Sequence, residues 1–139
     1  MAANEQYTKK AIRPETHVRP DRPYVPGIVH NRVVYCSGAT GSNPSTKEIA
    51  AGGIKPQARR VFENLELIAK AGGASLDSAL KLTIFLTDIE NHFEPMNEVF
   101  REFFAENPPA RSTIGVAALA RPGLLIEAEM IAAVHDADT

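Results

Sequence analysis

The chain has a single cysteine, Cys36, and no tryptophan among its 139 residues. One cysteine excludes an intramolecular disulfide and any thiolate-rich metal cage. The four histidines, His17, His30, His92 and His135, show no ligand spacing such as HxxxH, so no metal site is expected. No apolar run approaches the roughly 20 residues needed to cross a bilayer. The first dozen residues carry Glu5 and lack an apolar h-region, so neither a secretory nor a transit leader is expected, and a cytoplasmic location is the default. A basic block is missing as well. Net charge is −2, and Arg19, Arg22, Arg59 and Arg60 are mixed with acids, which leaves no electrostatic footprint for nucleic acid. The GxSxG, P-loop and GxGxxG signatures are absent, and Gly38-Ala39-Thr40-Gly41 is too short to stand in for one.

What is present fits one domain able to bury a core: 44% of residues are hydrophobic and 23% charged, an ordinary globular balance. Residues 1–22 read as an irregular, polar, proline-containing lead-in with one short strand near Lys9–Ile12, and residues 23–139 as a single domain. Ile28–Val29 and Val33–Ser37 flank His30-Asn31-Arg32, a hairpin turn. Gly38 to Gly53 reads as a long loop. Ala58, Val61, Phe62, Leu65, Ile68 and Ala69 recur at helical spacing between Pro56 and Gly72-Gly73, which predicts an amphipathic helix over 55–71. A second stripe, Phe93, Met96, Asn97, Phe100, Phe103 and Phe104, predicts another helix, with Asn91 and Glu94 as a capping box and an end near Glu106 before Pro108-Pro109.

Three further strands are expected: Ala79–Thr87, Arg111–Ala118 and Leu124–Val134. Alternation places Leu80, Leu82, Ile84 and Leu86 on one face, with Ile114, Val116 and Ala118, and with Ile126, Ala128 and Met130. These faces would pack on the helices in an α+β two-layer sandwich of β-β-α-β-α-β-β order, both helices on one side. The opposite faces would carry Lys81, Thr83 and Phe85, then Arg111, Thr113 and Gly115, then Glu127, Glu129 and Ile131. Two helices cannot cover them, so this side is either solvated or an oligomer interface.

Candidate chemistry is sparse. Arg111 opens a strand directly after two prolines, and its planar guanidinium suits a substrate carboxylate; the alternative is an interface arginine paired with Glu127 or Glu129. Either glutamate can hold a water or act as general base, or serve as an ion-pair partner. Asn97 lies in an apolar stripe, where a buried amide must find partners, and pinning a loop is its simplest use. Tyr24, in Arg22-Pro23-Tyr24-Val25-Pro26-Gly27, is a lid or a packed anchor. Cys36 has no adjacent His and reads as an inert core thiol. A hairpin turning near Arg121-Pro122 would set Glu127 opposite residues around Gly115, with Arg111 on the order of 13 Å further along.

Pro109-Ala110-Arg111-Ser112-Thr113 followed by Ile126-Glu127-Ala128-Glu129-Met130 resembles the C-terminal signature of the RidA (YjgF/YER057c/UK114) family. The likeness runs upstream through Pro23-Tyr24, Tyr35-Cys36-Ser37-Gly38, the Gln57–Gly72 helix, Lys81 to Leu86 and Asn97 to Phe104, covering roughly residues 23–134. The resemblance implies a chorismate-mutase-like fold with a mixed sheet, and a homotrimer with three clefts between subunits. It implies 2-iminobutanoate/2-iminopropanoate deaminase-like activity without a cofactor. By the same likeness Arg111 matches the carboxylate-binding arginine and Glu127 the glutamate that positions the attacking water. Tyr24, Ser37, Gly38, Asn97 and Thr113 match positions lining or closing the cleft; Thr113 stands where many relatives have Cys. Two departures bear on the cleft mouth: Arg22 precedes Pro-Tyr where many relatives have Gly, and Arg121-Pro122-Gly123 forms the turn before the last strand.

The expected reaction is hydrolysis of reactive 2-imino acids, which arise from enamines, to 2-keto acids and ammonium. A specialised catabolic deaminase acting on aminomuconate-like acids falls within the same class. The rival is a non-enzymatic binding protein, a sensor or chaperone holding a 2-keto acid or another small carboxylate in the same cleft. Both need a carboxylate clamp, so Arg111 does not separate them; Glu127 favours the enzyme.

Overall fold

The computed structural model describes residues 8–17 and 21–136. Strands β1 (Lys10–Ile12), β2 (Gly27–His30) and β3 (Val33–Thr40) precede helix α1 (Ile54–Ala71). A single 3-10 turn, Leu76–Ser78, then leads into β4 (Ala79–Leu86), followed by α2 (Ile89–Phe104), β5 (Ala110–Gly115) and β6 (Ile126–Ala133). The expected order holds, with the short strand of the lead-in added at its start. That strand pairs with β2 and sends Ile12 into the core.

Local chemistry explains most boundaries. Asn31 and Arg32 both adopt left-handed backbone, with φ 50° and 63°, as a two-residue hairpin turn matched to strand twist requires. Pro56 sits in the first turn of α1, where its missing N–H costs nothing, and Gly73 at φ 86° carries the chain out of the helix. Helix α2 begins before the predicted cap. Asp88 is the N-cap and Ile89 already packs against the core, so Asn91 lies in the first turn and its amide donates to the Asp88 carboxylate instead. The loop predicted from Gly38 starts later, because β3 continues to Thr40.

The six strands form one mixed sheet in the order β1-β2-β3-β6-β4-β5, with only β4 and β5 parallel. Strands β5 and β6 are therefore not a hairpin. The β4-α2-β5 unit sets β5 parallel to β4 on its free edge, and the chain then crosses back to insert β6 between β3 and β4. Glu127 consequently faces Thr40 and Phe85 rather than Gly115.

Both helices cover one face, where Leu82, Ile84, Leu86, Ile126, Ala128 and Met130 are buried as expected. The Phe62 ring anchors this layer, meeting Phe100, Phe103 and Phe104 at centroid distances of 6.1, 5.4 and 5.4 Å. Two facings differ from the alternation. A bulge between Ala79 and Lys81 turns Leu80 outward, 51% exposed. In β5 the faces are exchanged: Arg111, Thr113 and Gly115 pair with Leu82, Ile84 and Leu86 and share their helix-side face, leaving Ser112 and Ile114 on the open one. The parallel register to β4 decides this. At a sheet margin the aliphatic alternation carries little burial energy and is a poor guide. The open face accordingly presents Tyr35 and Ile114, each 44% exposed, beside Phe85 and Ile131.

Phe62→Ala should cost about 3–5 kcal/mol, since a fully buried ring between three others leaves a cavity that backbone shifts cannot close. Urea unfolding followed by circular dichroism measures it.

Candidate active site

Glu127 leaves the open face of β6 and reaches over β3. There the ladder jumps from Cys36↔Met130 to Ala39↔Ala128, so Ser37 and Gly38 together oppose one residue in a β-bulge. A Cβ on Gly38 would collide with Glu127 Oε2 and sit 2.9 Å from its Cδ, so glycine is what lets the carboxylate lie against the bulge. Ser37 ties the bulge to the proline-flanked loop: its N–H donates to the Pro26 carbonyl at 2.8 Å and its hydroxyl to that of Val25 at 2.6 Å. That loop presents Tyr24, more than half exposed, with the Arg22 guanidinium 5.8 Å from the ring centre. Tyr24, Ser37, Gly38 and Glu127 thus line one cavity of about 620 Å³.

Burial raises the Glu127 pKa, and the neighbouring Glu129 carboxylate raises it further; no cation opposes them. A partly desolvated carboxylate against an open cavity is a usable proton acceptor and water holder.

Arg111, Thr113 and Asn97 lie elsewhere. Arg111 projects from the helix-side face of edge strand β5 onto α2, its Cζ 4.6 Å from the Phe100 ring centre and 5.8 Å from that of Phe93. Desolvation, then Arg101, lowers its pKa, yet a guanidinium stays charged at any ordinary pH. No ion pair joins it to an acid among the described residues of its own chain. Two residues along, the Thr113 hydroxyl is buried without a hydrogen-bond partner. Asn97 is buried on the same α2 stripe as Phe93 and Phe100. Glu127 and Arg111 stand two strands apart and three residues out of step, roughly 14 Å between Cα positions, and their side chains leave opposite faces of the sheet.

Two buried amides hold the cavity wall and were not singled out from sequence. Asn64 donates to the carbonyls of Thr40 and Ser42. Gln57 donates to the Gly123 carbonyl and accepts from the Leu125 N–H, fixing the entry to β6 two residues before Glu127. These are the loop-pinning roles expected of Asn97. Their signal was available, since both occupy core-facing positions of the α1 stripe. Cys36 behaves as expected of a core thiol, with burial pushing its pKa up to about 12.

The family model described as Endoribonuclease L-PSP matches residues 14–134. A RutC family protein of Pyrococcus abyssi is 40% identical over 124 residues, 89% of this chain and 96% of that protein. The human 2-iminobutanoate/2-iminopropanoate deaminase is 36% identical over 110 residues, 79% of each chain. The chain belongs to the RidA family. Among solved structures, RidA from the Antarctic bacterium Psychrobacter sp. PAMC 21119 superposes with a TM-score of 0.82 at 35% identity, covering 90% of this chain and 99% of that one. E. coli TdcF with bound serine gives 0.81 at 36% identity, covering 91% and 99%. RidA relatives of similar identity carry the name of imine deaminases, and the fold is shared throughout. Among the described residues no helix is long and apolar enough to cross a membrane, and no cluster of three potential metal ligands occurs.

Glu127 should titrate above the ordinary glutamate value in a carbon-13 NMR titration, and Glu129→Gln should bring it down. Because the folded chain holds this proton more tightly than the unfolded one, Glu127 costs stability as pH rises through its folded pKa. Glu127→Gln should therefore be the more stable protein at neutral pH, with the difference vanishing below about pH 4.

Proposed function

We propose that the chain is a cofactor-free hydrolase of 2-imino acids, and that its working site forms between subunits of a homotrimer. The observation that carries this is the division of the site residues. One chain has a Glu127 half, with Gly38, Ser37 and Tyr24 around a cavity, and an Arg111 half, with Thr113 and Asn97 at the sheet margin, on opposite faces of its sheet. A half-site containing a charged guanidinium over aromatic rings and an orphaned hydroxyl gains its partners only from another molecule. The apolar open face around Tyr35, Phe85, Ile114 and Ile131 supplies a surface for a closed cyclic assembly.

Across such an interface the substrate carboxylate takes the two-pronged contact of Arg111 from one subunit. The imine carbon lies over Gly38 of the next, where Glu127 holds a water and accepts its proton as the oxygen adds. Glu127 returns that proton to the nitrogen, giving the carbinolamine. Its hydroxyl proton then passes to the nitrogen as the C–N bond breaks and the C=O bond forms, so ammonia leaves, takes up a solvent proton to become ammonium, and the 2-keto acid remains. Imines hydrolyse readily in water, so positioning and fixed positive charge suffice without a strong base. A relative crystallised with serine, a small amino acid, is in keeping with a carboxylate clamp of this size. The raised Glu127 pKa favours turnover over mere binding, since a passive carboxylate pocket has no use for a basic carboxylate near its ligand.

Two measurements test this. In a coupled assay, an amino-acid oxidase supplies 2-iminobutanoate and semicarbazide traps what escapes hydrolysis. Arg111→Ala should lose at least about a hundredfold in kcat/KM, and Arg111→Lys most of that, because an ammonium cannot make the forked contact. Activity retained per folded molecule in Arg111→Ala would remove the arginine from the site. Sedimentation equilibrium should give about three times the chain mass; a monomer at micromolar concentration would remove the inter-subunit cleft.

A further inference from the structure

The cavity that holds Glu127 does not end at Glu127. It runs along β3 past Thr40, the cross-strand neighbour of Glu127, into the turn around Pro44 and Lys47 and up to the segment before β6. Three cations, Arg22, Lys47 and Arg121, line it against two acids, Asp21 and Glu127. The two arginines are held in place. Arg121 donates from Nη1 to the Lys47 carbonyl at 3.0 Å, and Arg22 lies against the Tyr24 ring. Lys47 is itself set by a tight turn, with φ 70°, its N–H bonded to the Asn43 carbonyl and the Asn43 side chain accepting from Ser45 and Thr46. No ion pair joins Arg22, Lys47 or Arg121 to an acid among the described residues, although other surface cations of this chain do pair: Arg32 with Asp136, Lys55 with Glu98 and Arg59 with Glu102.

Building on the reaction proposed above, we infer that this end of the cavity is an anion subsite, and that the preferred substrates are dicarboxylic 2-imino acids. Their first carboxylate meets Arg111, and their second, on the side chain, meets Arg121 and Arg22. Three cations against two acids leave the cavity with a net positive charge, which a neutral side chain leaves unused and a second carboxylate satisfies. His17, on the same wall, has its pKa depressed by burial first and then by Arg22 and Arg60.

Calorimetry of the purified full-length protein tests the subsite without relying on turnover. 2-Oxoglutarate should bind roughly tenfold more tightly than 2-oxopentanoate, which has the same carbon chain without the second carboxylate. The ratio should collapse toward one in Arg121→Ala, survive in Arg121→Lys, and shrink in the unmodified protein as salt is raised. Equal affinity for the two acids, with both binding, would leave the carboxylate clamp standing and overturn the subsite alone. Failure of both acids to bind would overturn the clamp and the subsite together. A preference for 2-oxoglutarate that is unchanged in Arg121→Ala would also overturn the assignment.

Discussion

A six-stranded sheet has two faces, and the described residues form two α-helices, both on the same side. Every hydrophobic contact of the core, from the Phe62 cluster to the aliphatic rows of β4 and β6, is made on that side. The other face is left with Tyr35, Phe85, Ile114 and Ile131 among ionisable side chains, a mixture that neither water nor a core suits. The site inherits this asymmetry. Glu127 stands on the uncovered face because Ile126 and Ala128 must turn inward, and Arg111 stands on the covered side because the register of β5 to β4 puts it there. The same packing that stabilises the fold therefore separates the two residues best suited to the chemistry.

Insertion of β6 between β3 and β4 is the second determinant. It brings Glu127 against the Ser37-Gly38 bulge, where the missing side chain of glycine makes room for a carboxylate. The bulge is braced from one side by the proline-flanked loop and from below by the Asn64 amide on the Thr40 carbonyl, while Gln57 fixes the chain just before β6. Two amides in the apolar stripe of one helix thus set the shape of a cavity on the far side of a strand. On the proposed reading, strands β5 and β6 carry the reacting groups, while loops bearing Arg22 and Arg121 line the cavity.

Much of this was legible beforehand, for physical reasons that differ from element to element. Helix α1 could be read within a residue because a buried stripe, an early proline and a terminal glycine pair all agree. A hairpin turn within His30-Asn31-Arg32 was legible because aliphatic runs flank it, and the structure narrows it to Asn31 and Arg32. The facing of β5 was not legible. At an edge strand, burial exerts little selection on alternation, and pairing with β4 overrules it. Nor was the contact between Glu127 and Gly38, since a bulge and a long crossover, rather than a local pattern, bring them together. Arg111, Glu127, Asn97 and Tyr24 stood out from their own sequence settings, and Ser37, Gly38 and Thr113 came from family likeness. That they sit in two groups came only from the topology.

The central claim is that each chain supplies half of two different sites. Mixing Arg111→Ala and Glu127→Gln chains, each inactive as a homotrimer, then dissociating and reassembling them in equal amounts, tests it most directly. If the halves meet between subunits, one cleft in each hetero-trimer, about a quarter of all clefts after random reassembly, regains both residues, and imine hydrolysis returns to about that fraction of the unmodified rate. If the mixture stays as inactive as its parents although hetero-trimers have formed, the two residues act within one chain or not together at all, and the account is wrong.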